Sequence, residues 1–157
     1  MSVNQSIQIN EEEYIIELFR NEYSDFPKGK LLKTESPDFI LKESPQTAIG
    51  IELTKLHGPE TMKENTHYTS KMYGYRSPEF TRENIEFTIK AKHEKLPIYQ
   101  RKMLNQIWLL ITADLNESPV SFNLTNKLEN WNFFSGFHKI FLFELKSRKV
   151  FELNISD

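Results

Sequence analysis

Three side chains in this sequence have types and spacings that could do chemistry: Asp38 in SPDFILK, Glu52 in AIGIELTKL, and Lys92 in TIKAKHEKL. The two acids lie on runs that read as neighbouring strands joined by the turn-like ESPQT. Side chains alternate along a strand, so Gly50, Glu52 and Thr54 share one face while Ile49, Ile51 and Leu53 share the other. Pairing the strands through that turn brings Asp38 toward Glu52. Two carboxylates at such a distance repel unless a cation lies between them, and oxygen ligands of this kind suit magnesium or manganese. The same residues also fit a turn cap and a solvated strand residue, and spacing alone does not separate the readings.

The lysine is informative through its direction. At about 100° per residue, Ile85, Ile89, Lys92 and Leu96 fall in one sector of a helix, with Lys90 and Glu94 on the far side. An ammonium aimed at the core is costly unless a carboxylate or a wet pocket receives it. Snorkelling, with the methylenes on the sheet and the nitrogen in solvent, is the competing account. Glu22 poses the same choice, because it projects near the Tyr14, Ile15, Leu18, Phe19 stripe of the first helix. It reads either as a further acid of the site or as a helix-end residue with a path to water.

The elements that must position these groups follow from periodicity and breakers. Residues 10 to 26 read as a helix capped by Asn10, with Glu11, Glu12 and Glu13 at the positive end of its dipole and Pro27 and Gly29 ending it. KLLKT, DFILK and AIGIELTKL follow as a strand and a hairpin. Residues 57 to 76 show no clean period. Ser77 and Pro78 open a helix that runs to about Leu96, where Pro97 stops it. QIWLLITA is nearly all apolar and reads as a central strand buried on both faces. A short helix fits residues 122 to 131, and KIFLFEL and KVFEL form a closing hairpin.

Size and composition narrow the function classes. A chain of 157 residues, 38% hydrophobic and 27% charged, fits one domain spanning 1–157. The absence of Cys removes disulfides and thiolate zinc sites, and the four scattered histidines form no i, i+4 pair. No glycine-rich phosphate loop or nucleophile elbow is present. The opening MSVNQSIQIN lacks a signal-peptide pattern and Ile107 to Ile111 is too short for a bilayer, so a cytoplasmic, non-membrane location is the expectation. A net charge of −2 argues against nonspecific coating of nucleic acid but allows local basic patches.

The order helix, strand, PDF, turn, IELT, lysine-bearing helix and buried strand resembles the PD-(D/E)XK superfamily of restriction-endonuclease-like proteins over about residues 10 to 113. Pro37 and Asp38 match its first motif and Glu52 the acid of its second. The departure is Thr54, which stands where the family pattern has lysine. Lys55 faces the other way on a regular strand, and in some branches the lysine comes from the following helix, where Lys92 has the fitting direction.

The resemblance implies an α/β fold with a restriction-endonuclease-like three-layer core, a mixed central sheet flanked by helices. It also implies metal-dependent hydrolysis of phosphodiesters, with Asp38 and Glu52 holding Mg2+ or Mn2+ and Lys92 stabilising charge. Nucleic acid, DNA ahead of RNA, is the implied partner, with a homodimer or a separate targeting protein to select it. Tyr68, Lys71, Tyr73, Tyr75 and Arg76 offer rings and cations for bases and phosphates, or simply loop packing. The rival is a binding or immunity-type protein that keeps the fold without the reaction, which Thr54 and the mildly acidic balance favour.

Overall fold

Seven of the eight residues of Gln106–Ala113 (β4) are buried, and this strand is the centre of the sheet around which the chain is built. The computed structural model describes residues 3–59, 81–113 and 124–156. β4 pairs in parallel with Thr47–Lys55 (β3) on one side and with Lys139–Glu144 (β6) on the other. An unbroken apolar run is what a strand covered on both faces requires. Beyond β3 the sheet continues antiparallel through Phe39–Ser44 (β2) to Lys30–Lys33 (β1), and beyond β6 antiparallel to Lys149–Glu152 (β7). The result is a six-stranded mixed sheet in the order β1-β2-β3-β4-β6-β7.

Helices cover both faces, giving the three-layer α/β core expected from the sequence. Val3–Glu22 (α1) lays Ile15, Ile16 and Phe19 against Phe39, Leu41, Ile49, Ile51, Trp108, Leu110, Phe141 and Phe143. On the opposite face, Arg82–His93 (α2), Leu96–Gln100 (α3) and Leu124–Asn130 (α4) bury Ile85, Ile89, Leu96, Tyr99 and Leu128 against Leu56, Ile107, Leu109, Ile111, Ile140 and Leu142. The alternation read along β3 is visible here: Ile49 and Ile51 face α1, whereas Glu52 faces α2 and α3.

Several boundaries differ from the sequence reading. α1 runs through Asn10 instead of starting there, because nothing from Val3 to Asn10 breaks a helix and an interior Asn costs only a fraction of a kcal/mol. It ends at Glu22, and Phe26 returns to the core from the following turn, its ring 5.8 Å from that of Phe19. α2 is capped by Thr81, whose side chain accepts from the Asn84 N–H; the proposed start at Ser77 and Pro78 lies outside the described residues. Pro97 does not stop a helix. It occupies the first turn of α3, where a missing N–H has no cost, so the crossover continues as a second helix. Asn132–Phe134 (β5) and Asn154–Ser156 (β8) form a small parallel sheet that the sequence did not announce. Among the described residues no helix is long and apolar enough to cross a membrane.

Candidate functional site

Asp38 is delivered by a tight turn between β1 and β2. The Thr34 N–H donates to the Asp38 carbonyl at 2.8 Å, Lys33 Nζ donates to the same carbonyl at 3.2 Å, and the Thr34 hydroxyl donates to the Pro37 carbonyl. Pro37 is buried over Gly50, where an added Cβ would sit 2.9 Å from the proline ring and 2.6 Å from Leu104. Glycine there lets the turn lie close on β3, two residues before Glu52.

The turn and strand then clasp each other. The Leu53 N–H donates to Asp38 Oδ2 at 2.8 Å, and the Asp38 N–H donates to Glu52 Oε1 at 3.2 Å. The two carboxyl groups come within hydrogen-bonding reach of each other. Glu52 is only 3% exposed, a degree of burial that a carboxylate tolerates only with partners. They come from the crossover: Lys92 Nζ lies 3.2 Å from Glu52 Oε2, the Tyr99 hydroxyl donates to that oxygen, and Lys95 Nζ stands 4.0 Å away. Asp38, Glu52 and Lys92 therefore converge, and the lysine is neither snorkelling nor on a polar face.

Charge in the pair is uneven. Burial, then the contact with Glu52, pushes the Asp38 carboxyl up to about 7. Burial acts in the same direction on Glu52, but its bond with Asp38, the Lys92 ammonium and Tyr99 together hold it below the usual carboxylate range. Near neutral pH the pair thus keeps a proton on the Asp38 side or needs another cation. That donor chemistry fits a hard divalent ion, which Asp38 and Glu52 would hold with water and substrate oxygens completing its shell. Among the described residues no group of three or more His, Asp or Glu side chains gathers as a metal site.

The remaining proposed residues are placed differently. Glu22 is exposed at the C-terminal end of α1; the acid of that helix that the Asp38 carboxyl feels is Glu12, which pairs with Lys33 Nζ at 2.9 Å. Thr54 is half-buried and lines a cavity of about 320 Å3 beside Glu12. Lys55 points to the α1 face and pairs with Glu11 at 3.4 Å. Tyr68, Lys71, Tyr73, Tyr75 and Arg76 lie outside the described residues. Tyr99 was missed because the expected stop at Pro97 removed its helix; its signal was the recurrence of Lys92, Leu96 and Tyr99 at helical spacing.

Tyr99→Phe tests how much of this order the phenol supplies. It is expected to lower the unfolding free energy by about 1.5–3 kcal/mol, the range for a hydrogen bond to a charged group. Urea denaturation at pH 8 measures it, and a loss below about 0.5 kcal/mol would show that Lys92, Lys95 and the Asp38 N–H satisfy Glu52 without the phenol.

Comparisons with protein-family models, curated proteins and solved structures give no match to this chain. The fold and site by themselves define an α/β protein with an acid pair and a lysine enclosed at the junction of a hairpin and a crossover.

Proposed function

We propose that this protein is a divalent-metal-dependent hydrolase of nucleic-acid phosphodiester bonds, a PD-(D/E)XK-like nuclease whose lysine has moved to the helix after the second acid. The observation that carries the reading is the contact of Asp38 with Glu52 under the Lys92 ammonium, 3.2 Å from Glu52 Oε2. When bound, the metal would supply Lewis-acid polarisation of the phosphate and a more acidic water. Asp38 and Glu52 would fix its place. Tyr99 and Lys92 hold Glu52 ionised, and Lys92 is the ammonium available to charge developing on the phosphate. DNA stands ahead of RNA as substrate, in a cytoplasmic setting, with a homodimer or a targeting partner selecting it.

The test is a panel of labelled single- and double-stranded DNA and RNA with magnesium, manganese or chelator. Metal-dependent cleavage lost in Glu52→Gln supports the reading; no cleavage under any metal condition overturns it. Calorimetry gives a separate prediction: weak manganese or magnesium binding by the wild type and none by Asp38→Ala. Equal heats from both would sink the metal assignment.

A second reading has its own support. Glu52 Oε2 already accepts from Tyr99 and lies beside Lys92, a self-satisfied network that a non-catalytic nuclease-like binding or immunity-type protein would retain for folding alone. Wild-type stability unchanged by magnesium, together with no cleavage, selects that reading.

A further inference from the structure

The parallel strands β3, β4 and β6 end on the same side of the sheet, and α1 crosses the face beside those ends. Two cavities lie there. One, of about 320 Å3, is lined by Glu11, Glu12, Ile15, Thr54, Lys55 and Thr112. The other, of about 390 Å3, is lined by Glu11, Tyr14, Ile15, Leu145, Lys146 and Arg148. They share Glu11 and Ile15 and so lie side by side along α1 across three strand ends, and Leu53, which also lines the first, donates its N–H to Asp38; we read them together as a groove. The carboxyl ends of parallel strands are where open α/β sheets commonly bind ligands.

The groove changes character along its length. At the Asp38 end its acids are matched by lysines, Glu12 with Lys33 at 2.9 Å and Glu11 with Lys55 at 3.4 Å. At the far end Tyr14 is 60% exposed, and Arg148 Nη2 donates to its hydroxyl at 3.4 Å. The turn presenting Lys146 and Arg148 is fixed from beneath. The buried Glu144 carboxylate accepts from the Lys146 and Ser147 N–H groups, at 3.2 and 2.5 Å, and Arg148 adopts a left-handed φ of 63°. An exposed ring beside two cations on a rigid turn matches the stacking-plus-phosphate pattern of single-strand binding. From β3 to β6 is two strand spacings, about 10 Å, or roughly three stacked nucleotides.

We propose that this groove is a track for single-stranded nucleic acid, in which Tyr14 stacks a base and Lys146 and Arg148 meet phosphates while the strand continues toward Asp38, the member of the acid pair nearest α1. The inference rests on the phosphodiesterase reading of that acid pair and adds the substrate class, an unpaired strand rather than a duplex. A stacking ring needs a base whose face is open, which a closed duplex withholds along its length. Arg148 keeps its place because its turn is anchored by Glu144, independently of the ligand.

The experiment is fluorescence anisotropy in chelator, which prevents cleavage, with short labelled oligothymidylate, oligouridylate and the corresponding DNA duplex. The wild type is expected to bind at least one single strand about tenfold tighter than the duplex, the DNA and RNA arms showing which sugar is preferred. Tyr14→Ala should weaken that binding by about fivefold or more. Arg148→Gln should weaken it and reduce the slope of log affinity against log salt by about one. Lys42→Ala, an exposed lysine on β2, should change neither. No single-strand binding, tighter duplex binding, or unchanged affinity in both variants overturns the track. Cleavage measured separately with magnesium keeps the readings apart: an active enzyme with unaltered binding in Tyr14→Ala and Arg148→Gln loses only the track, whereas variant-sensitive binding without cleavage loses only the hydrolase.

Discussion

Lys92→Ala is expected to lose most of the metal-dependent cleavage rate, on the order of a hundredfold or more, while Lys55→Ala stays close to wild type. The two lysines are three and forty residues from Glu52, and the distant one is at the site. Lys92 Nζ is 3.2 Å from Glu52 with its side chain 18% exposed, so its charge acts in a poorly solvated setting where a fixed ammonium is effective. Lys55, 58% exposed, pairs with Glu11 in the groove beside α1, where it can alter strand binding and hence KM but adds only diffuse attraction at the scissile phosphate, so kcat is the quantity compared. Removing Lys92 also strips a partner from a buried carboxylate, so stability and metal affinity belong in the same experiment. A fall in kcat with folding and metal binding intact is the signature of lost transition-state stabilisation. Thr54→Lys, which places an amine on the strand face of Glu52, should restore part of the rate to Lys92→Ala. A dead Lys55→Ala beside a fully active Lys92→Ala would overturn the proposed active site.

Asp38→Asn should abolish cleavage and yet stabilise the fold above neutral pH, by about 1–2 kcal/mol at pH 8. Asparagine retains an oxygen for the Leu53 N–H and presents a donor toward Glu52, much as a protonated Asp38 would. The sign follows from linkage. Asp38 titrates near 7 in the folded protein against an ordinary 3.8, so the folded state binds more protons in that interval. Its favourable contribution is present below the ordinary value and is lost as pH rises toward and through 7. Glu52, held below its ordinary range, works oppositely, its contribution disappearing as pH falls. Urea unfolding from pH 4 to 8 should therefore show the Asn variant gaining on wild type as pH rises from the ordinary value of 3.8 toward 7, with the smallest difference at pH 4. Magnesium should narrow the gap at pH 8 by stabilising the wild type alone. A variant less stable than wild type at pH 8 would show that the acid pair is not under electrostatic tension.

What could be read from the letters was whatever local periodicity encodes. The apolar run of β4 announced a central strand, and strand parity put Glu52 on the face opposite Ile51 and Lys55. Helix phase aimed Lys92 inward although nothing nearby in the sequence named its partner. The errors arose where one local signal has two structural outcomes. Asn10 can cap a helix or sit inside one, and Pro97 can end a helix or open the next. Glu22 and Glu12 both belong to α1, and the helix's start and its tilt on the sheet, which no periodicity gives, made Glu12 the near acid. The β5–β8 pairing joins strands distant in sequence and too short to carry a pattern of their own.

The acid pair and its lysine belong to different scales of chain closure. Asp38 and Glu52 are fourteen residues apart, one in the turn leading into β2 and the other on the adjoining β3, whereas Lys92 and Tyr99 reach Glu52 across forty and forty-seven residues. A contact of the first kind comes with a hairpin; the second waits on the whole crossover, whose closure entropy must be met before any packing rewards it. The two strands that carry the recognisable letters are therefore not a portable module. Grafted onto another sheet edge they would bring two hydrated carboxylates that repel, because the burial and the ammonium that give those acids their character are properties of a remote stretch of chain.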